Sequence, residues 1–224
     1  MENLKKLLAL EAQYRLRSEL MDEFLAGADD IIHLDTYQPM IDEGKFDPDI
    51  YIVKTGLIRG IYHDRNMEKT AGFALPGTIL ISFHCYYGRD RSYYRFEACC
   101  PSEVVKIPKA YFNEMLRKHH EFALWILSAH QNQLYYNECK NRVLSSDAKT
   151  NLVKLMENIS GIPKQSERRI KDSVDDEAHT QLVKRELFTR WNDIFNLVPS
   201  RIIASYLGIT EQHLSKIKKE LLKG

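Results

Sequence analysis

The chain has 224 residues, of which 44% are hydrophobic and 28% charged, and its formal net charge at pH 7 is +1. This length allows one large domain or two modest ones with a core each, and the composition is typical of a globular protein. The near-neutral total excludes a general electrostatic attraction to nucleic acid or membrane, so any such binding must come from a local patch.

The sequence predicts a cytoplasmic protein with no membrane partner. No apolar run approaches the roughly 20 residues that a membrane-spanning helix needs. The first residues predict an amphipathic helix and not a signal peptide, because charged residues follow a short apolar patch at once. Four cysteines contain no C-x-x-C pair, which argues against a disulfide framework: Cys85, Cys99, Cys100 and Cys139.

In chain order, the first 27 residues predict helix, because leucines recur at near-helical spacing. From about residue 31 to residue 107, short segments rich in β-branched and aromatic residues alternate with Gly, Pro, Asp and Asn. This pattern, repeated about every ten residues, is typical of an antiparallel sandwich or barrel. The segments are DIYIVKTG, GLIRGIYHD, TAGFALPG, YYRFEA and SEVVKIP, after which Pro108 begins a helical stretch.

A longer helix is predicted from about residue 121 to residue 144. Five of its apolar or small residues follow a near-heptad stripe: Phe122, Ile126, Ala129, Tyr136 and Val143. One interpretation is a helix that covers the β core, and the other is a helix that pairs with its copy in a second subunit. The spacing leaves both open, because further leucines lie off the stripe and could serve the core: Leu124, Leu127 and Leu134.

The following segment, DAKTNLVKLMENISG, predicts another helix with Asp147 at its N-cap. The segment IPKQSERRIKDSVDDEAHTQ, residues 162–181, is polar and mixed in charge, which predicts a linker or a solvated helix.

Signatures of catalysis and metal binding are missing from the sequence. There is no phosphate-binding P-loop, no G-x-G-x-x-G and no G-x-S-x-G. His33, His63 and His84 fall in different β segments, and the adjacent His119 and His120 would point about 100° apart on a helix. The sequence therefore predicts no metal site, no cofactor and no enzymatic activity.

The segment SRIIASYLGITEQHLSKIKKE predicts two helices that meet at a tight turn. Gly208 suits the left-handed conformation of the turn, Ala204 allows close approach, and Thr210 is placed to cap the second helix. The apolar residues that would fill the shared corner are Ile203, Leu207, Ile209, Leu214 and Ile217.

Polar residues on the open side of this helix pair predict binding to double-stranded DNA. From Pro199 onward the sequence contains five basic and two acidic residues, which gives a local net charge of +3 in a nearly neutral chain. The alternative is a core hairpin with a solvated basic face. The predicted DNA-binding residues are Arg201, Thr210, Glu211, Gln212, His213, Ser215, Lys216 and Lys219.

The order of β segments, long helix and helix-turn-helix resembles the Crp/Fnr family of bacterial transcription regulators, from about residue 31 to residue 222. VPSRIIASYLGITEQHLSKIKKEL is similar to the family's C-terminal segment, and YYGRDRSYYRFEACCPSEVVKIP to its phosphate-binding cassette and exit strand. YIVKTGLIRGIYHD and FALPGTIL are similar to strand pairs of its sensor domain.

This resemblance implies an α+β fold in three parts. They are a double-stranded β-helix (β-roll) sensor domain in residues 1–120, a connecting dimerisation helix in 121–146, and a helix-turn-helix domain in 147–224. It also implies a homodimer that binds a pseudo-palindromic operator, with base contacts from Glu211, Gln212 and Lys216. RNA polymerase and a small-molecule effector are the further partners expected.

The cassette departs from the cyclic-nucleotide pattern at one position. Arg91 and Ser92 resemble the Arg-Ser pair that holds the cyclic phosphate, but the glutamate expected ten residues earlier is Ile81, which Ser82 follows. Isoleucine cannot accept a hydrogen bond from a ribose hydroxyl, so we expect an anionic, partly apolar effector other than cyclic AMP or cyclic GMP. Alternatively, Arg91 pairs with a carboxylate and nearby aromatics fill the pocket: Tyr86, Tyr87, Tyr93 and Tyr94.

Two other functions remain open at this point. A cupin-like small-molecule-binding protein or enzyme would use similar β architecture, although cupins usually carry a histidine-and-glutamate metal set that this sequence lacks. A regulator whose sensor domain makes only protein contacts also fits. The resemblance does not extend to an iron–sulfur centre, because there is no N-terminal cysteine cluster.

Overall fold

A computed structural model describes residues 1–11, 14–65, 67–144, 147–152, 155 and 198–221. The chain divides into two compact units, residues 1–137 and residues 138–224. The first unit contains the described β-strands, and the second is helical in the residues that are described.

The N-terminal helical region is broken in two, which corrects the single helical stretch expected from the sequence. Helix α1 spans Glu2–Glu11 and helix α2 spans Ser18–Ala26, with Arg17 extended at the start of α2 (φ −62°, ψ 146°). A straight helix of this whole region would be about 39 Å long. The break allows both Leu8 and Phe24 to be fully buried in one cluster.

Eight strands form two four-stranded antiparallel sheets, so the predicted sandwich is confirmed. Sheet 1 has the order β1-β8-β3-β6, and sheet 2 has the order β2-β7-β4-β5. The pairs 1–8, 2–7, 3–6 and 4–5 nest inside one another, as in a jelly roll. The strands are β1 (Asp30–Leu34), β2 (Pro39–Ile41), β3 (Ile50–Thr55), β4 (Ile58–Asp64), β5 (Met67–Ala74), β6 (Ile79–Ile81), β7 (Arg95–Ala98) and β8 (Ser102–Ile107).

Sheet 1 buries apolar side chains on both of its faces. Because successive side chains of a strand point to opposite faces, Ile50 and Ile52 of β3 enter one cluster while Tyr51 and Val53 enter another. The inner cluster lies between the two sheets. The outer cluster lies between sheet 1 and the helices, and its helical members include Leu8, Phe24, Phe112, Phe122 and Trp125.

Three further helices belong wholly or partly to the first unit. Short helix α3 spans Phe83–Tyr86, α4 spans Lys109–Lys118 and α5 spans His120–Leu144. The N-terminal region is held against α5 by an ion pair from Arg17 to Glu121 (2.7 Å) and by a hydrogen bond from the Tyr14 backbone to Ser128 Oγ (3.1 Å).

In the second unit, the predicted cap at Asp147 is confirmed. Its carboxylate accepts hydrogen bonds from the backbone N–H groups of Lys149 and Thr150, both at 3.0 Å. Helices α6 (Ser200–Leu207) and α7 (Glu211–Leu221) follow. The predicted linker or solvated helix, residues 162–181, lies outside the described residues. Among the residues that are described, no helix is long and apolar enough to cross a bilayer.

Candidate nucleic-acid interface and effector pocket

Gly208 makes the turn between α6 and α7. Its φ of +67° and ψ of 29° are left-handed, and the backbone N–H groups of Gly208 and Ile209 donate to the carbonyls of Ser205 (3.3 Å) and Ala204 (3.0 Å). A Cβ added at this glycine would meet nothing within 4 Å. Glycine is therefore favoured here by backbone conformation and not by lack of space.

The corner between α6 and α7 is filled as the apolar spacing predicts. Ala204 and Leu207 of α6 and Leu214 and Ile217 of α7 are all buried. Thr210 begins α7 by accepting a hydrogen bond from the backbone N–H of His213 (3.2 Å). Ile209, which the spacing also assigned to the corner, is half-buried.

All eight residues predicted to contact DNA are exposed. Five of them lie on one face of α7, because they recur at intervals of one, three, one and three residues: Glu211, Gln212, Ser215, Lys216 and Lys219. Burial lowers the pKa of the neighbouring Lys218, which is only partly exposed.

In the first unit, the cassette forms a polar corner at one end of the sandwich. Ser82 and Ser92 are buried, and Ser82 Oγ donates to Ser92 Oγ at 3.3 Å. Ser92 Oγ in turn donates to the carbonyl of Tyr94 (2.7 Å). Two of the predicted pocket residues are thus brought together by their hydroxyl groups.

The β2–β3 loop crosses the cassette as a strap, which the sequence analysis did not predict. Gly44 N–H donates to the carbonyl of Ser92 (2.8 Å), and Ser92 N–H donates to the carbonyl of Lys45 (2.7 Å). Gly44 has a φ of +76°, so the turn in DEGK is the one local signal of this strap in the sequence.

Among the residues that the structure describes, Arg91 contacts a backbone carbonyl and no carboxylate, which counts against the alternative interpretation of its role. Its side chain is exposed, and Nη1 donates to the carbonyl of Gly44 at 3.1 Å. A guanidinium has five N–H donors, so this bond leaves donors for an anion.

Ile81 lies on the wrong face of sheet 1 to line the sandwich interior. It packs against the outer cluster, beneath the helices, whereas the preceding Leu80 packs against the inner cluster. The alternation of strand β6 therefore assigns the interior position to Ser82, and the Ile81 side chain lies on the opposite face of the sheet. Ser82 carries a hydroxyl and not a carboxylate, so this interior position still lacks the glutamate of the cyclic-nucleotide pattern.

The four tyrosines near the cassette separate into different surroundings. Tyr94 packs on Phe96 (ring centroids 6.1 Å apart) and Tyr62 (6.2 Å), next to the inner cluster. Tyr86 packs against the outer cluster, and the exposed members are Tyr87, Tyr93 and Tyr94. Tyr94 is thus the one of the four whose ring contacts Phe96, a residue packed against the inner cluster, and Tyr62 is a neighbour that spacing did not predict.

The heptad stripe of α5 belongs largely to the chain's own core. Phe122 is fully buried and Ile126 is 8% exposed, both in the outer cluster, and Ala129 packs against it. Phe122 and Ile126 are thus covered by the chain's own core, Ala129 is only partly buried, and the assignment of the stripe to a dimer face stays a prediction. The side chains of Tyr136 and Val143 lie outside the described residues.

The described residues hold no group of three or more His, Cys, Asp or Glu side chains with the geometry of a metal site.

Comparison with known proteins rests on structure, because no protein-family profile and no characterised protein sequence matches this chain. FixK2 from Bradyrhizobium japonicum aligns with a TM-score of 0.62 at 14% identity, over 87% of this chain and 84% of its own. The c-di-GMP-responsive global regulator CLP from Xanthomonas campestris aligns with a TM-score of 0.61 at 14% identity, over 92% of both chains.

A regulatory protein from Silicibacter pomeroyi DSS-3 aligns with a TM-score of 0.60 at 15% identity, over 100% of this chain and 89% of its own. This chain has the Crp/Fnr fold. The resemblance found in the sequence is therefore confirmed as a structural match to Crp/Fnr regulators over most of the chain, at low sequence identity. At this level of identity the matches establish the fold that the chain shares with these regulators.

Proposed function

We propose that this protein is a transcription regulator that binds a specific double-stranded DNA sequence through α7. The observation that carries this proposal is the combination of a buried corner with an exposed polar face. Leu214 and Ile217 hold α7 against α6, and the opposite face presents Gln212 and Lys216 to solvent. An α-helix of this kind fits the major groove of B-DNA, which is about 12 Å wide.

The exposed residues divide into two roles on chemical grounds. Gln212, in the first turn of α7, can form a bidentate pair with adenine, and Glu211 can accept from cytosine. Lys216 and Lys219 carry charges that suit phosphates, and Arg201 adds a third on α6. The base-reading groups thus lie at the start of the helix, with the lysines one or two turns later.

The regulator acts as a homodimer in this proposal. A single helix of 11 residues gives too little contact for tight, specific binding, and two copies related by a two-fold axis would read both halves of a pseudo-palindromic operator. RNA polymerase is the further protein partner that regulation of transcription requires.

The sensor site is the corner around Ser82, Ser92 and Arg91. The buried hydroxyl pair and the Arg91 guanidinium suit an anionic group, while Tyr94 and Phe96 suit an apolar body. No carboxylate stands at Ser82 or Ile81 to accept a ribose hydroxyl. We therefore propose a small anionic effector that is not a cyclic nucleotide, and calorimetry with cyclic AMP and cyclic GMP should detect no binding.

DNA binding is tested first by selecting sequences from a random duplex library with the full-length protein. Gln212→Ala and Lys216→Ala are then measured on the selected operator by fluorescence anisotropy, with Lys118→Ala on α4 as the control for an exposed lysine. Each variant should lose about 1–3 kcal/mol of binding free energy for a base contact, or less for a phosphate contact.

The two variants should differ in kind. Lys216→Ala should weaken binding to all sequences and reduce the slope of log K against log salt by about 1, whereas Gln212→Ala should relax the preference at one base pair. The proposal fails if no sequence is enriched, or if both variants bind the operator as tightly as Lys118→Ala.

A further inference from the structure

The sensor site is closed to solvent in this structure. Ser92 is 2% exposed and Ser82 is 7% exposed, so the hydroxyl pair that suits an anion is not accessible from outside. The Arg91 guanidinium is exposed, but it donates to a carbonyl of the strap, the β2–β3 loop that crosses the cassette. Binding of one anion to both Arg91 and Ser92 therefore requires part of the site to move.

Two carbonyls of the strap accept the hydrogen bonds that an anion would accept. The Gly44 carbonyl accepts from Arg91 Nη1 (3.1 Å), and the Lys45 carbonyl accepts from the backbone N–H of Ser92 (2.7 Å). The Lys45 carbonyl also accepts from Sγ of Cys85 (3.6 Å), a thiol that is fully buried. Guanidinium and backbone N–H groups are common anion ligands in proteins, so a strap carbonyl and an anion oxygen compete for the same donors.

The strap is a short exposed segment between two anchored ends. Residues 42–46 are all exposed. The preceding Ile41 is buried in the inner cluster, and the following Asp47 accepts a hydrogen bond from the Tyr51 hydroxyl (2.7 Å). A segment held largely by exposed hydrogen bonds opens at a lower cost than the core, so the strap can open while both ends stay in place.

The side chains of the strap add only weak restraints. Glu43 pairs with His63 Nδ1 (2.6 Å), and Asp42 lies 3.7 Å from Nε of Arg95. These four side chains are at least one-third exposed, and ion pairs in such positions contribute little to stability. The backbone bonds to Ser92 and the Arg91–Gly44 bond are therefore the main restraints that keep the strap on the cassette.

We propose that the strap is a lid that keeps the sensor site closed with its own carbonyls, and that an anionic effector opens it by taking the donors of Arg91 and Ser92. The inference rests on the proposed sensor site and adds the segment that competes with the effector. The apparent affinity for an anion is then the intrinsic affinity reduced by the fraction of molecules in which the strap is open.

The first experiment measures opening of the strap without any anion, from the rate at which Cys85 is alkylated, followed by mass spectrometry. The test variant is Gly44→Val. Gly44 has a φ of +76° and a Cβ there would meet nothing within 4 Å, so the substitution strains the closed strap without filling the site. We expect Cys85 to react about 5–30 times faster than in the wild type. Cys99, which is 1% exposed in the turn after β7, should stay slow and thereby exclude global unfolding.

Two arginine variants test the side-chain contact in the same assay. Arg91→Ala removes the bond to Gly44 and should accelerate alkylation of Cys85 about 2–10-fold. Arg89→Ala is the matched control, because Arg89 is exposed in the same segment but lies over the Tyr87 ring, 5.9 Å from its centre. This control should react as the wild type does.

The second experiment adds inorganic phosphate at constant ionic strength, with chloride as the balancing anion. In the wild type, hydrogen exchange of peptides covering residues 42–46 should become faster as phosphate is added, and Arg91→Ala should abolish this response. Phosphate affinity, measured from the broadening of its phosphorus NMR signal, should rise in Gly44→Val by the same factor as the Cys85 alkylation rate, about 5–30-fold.

The outcomes separate this inference from the proposed sensor site. If phosphate binds through Arg91 with equal affinity in the wild type and Gly44→Val, or without faster exchange of the strap, the lid fails and the sensor site stands. Cys85 alkylation in Gly44→Val at the wild-type rate would also overturn the lid. If the strap opens in Gly44→Val but no phosphate binds through Arg91, the sensor site and the competition both fail, and DNA selection still decides DNA binding.

Discussion

Substitution of Gly208 isolates the conformational requirement of the turn between α6 and α7. The φ of +67° disfavours any residue with a Cβ, while the empty space around the site means that alanine would meet no atom within 4 Å. The whole cost of Gly208→Ala is therefore backbone strain, which is about 1–2 kcal/mol for an L-residue in the left-handed region.

A series of substitutions gives an order that packing alone would not produce. Gly208→Asn should cost less than Gly208→Ala, because asparagine tolerates the left-handed conformation, and Gly208→Val should cost most, because a β-branched residue is a genuine outlier there. Side-chain volume would instead rank alanine as the mildest change. The two explanations thus differ in where they place asparagine.

Hydrogen exchange of peptides covering residues 200–221 measures this local stability in the intact chain. A loss of about 1–2 kcal/mol corresponds to exchange that is about 5–30 times faster from the opened state. Gly88→Ala is the matched control, because Gly88 also has a positive φ (+65°) with nothing within 4 Å, but lies in the first unit. Exchange in Gly208→Ala that equals the wild type, or in Gly208→Asn that exceeds Gly208→Ala, would refute the reasoning.

Two further predictions concern titratable groups. The hydroxyl of Thr150 and nearby backbone N–H groups lower the pKa of Asp147. The ionised carboxylate therefore stabilises the helix above about pH 4, the ordinary pKa range of aspartate, and this stabilisation is lost as the pH falls through the lowered pKa. Amide protection at residues 149–151 should decline over that pH range in the wild type and should not change with pH in Asp147→Asn. Burial raises the pKa of Cys99 to about 12, so at pH 8 alkylation followed by mass spectrometry should find Cys99 reacting at least about 100-fold more slowly in the native protein than in urea. The free energy of unfolding should also fall as the pH rises from about 9 to about 12, because the unfolded chain ionises this thiol first. Rapid labelling of Cys99 in the native protein would contradict this prediction.

The turn and its two helices were predictable because their causes are local. Gly208 is required by the conformation of its own backbone, and Thr210 caps a helix whose N–H groups are three residues away. The corner residues, such as Leu207 and Leu214, follow from helical spacing. The sandwich was predictable because its strands are also a local pattern. Short segments rich in β-branched residues, such as that of β3, are separated by turn residues, and a segment that is apolar at successive positions can bury both faces of a sheet.

The faces of longer elements were not predictable, because they depend on which neighbours cover them. The stripe of Phe122 and Ile126 is compatible with a core or with a partner, and the packing of Phe24 and Trp125 beside it decided for the core. That choice left Leu127 and Leu134 exposed instead.

The cassette shows the same division at the scale of one residue. A count of ten positions back from Arg91 selects Ile81, but the register of β6 against β3, with Ile81 opposite Ile50, turns that side chain toward the helices and gives the interior to Ser82. The sequence by itself determined the order of elements, the turn glycine and the helix caps, which need only neighbouring residues. The tertiary structure decided which face each strand and helix buries, because a one-residue change of register exchanges inside for outside and only contacts between distant segments fix it.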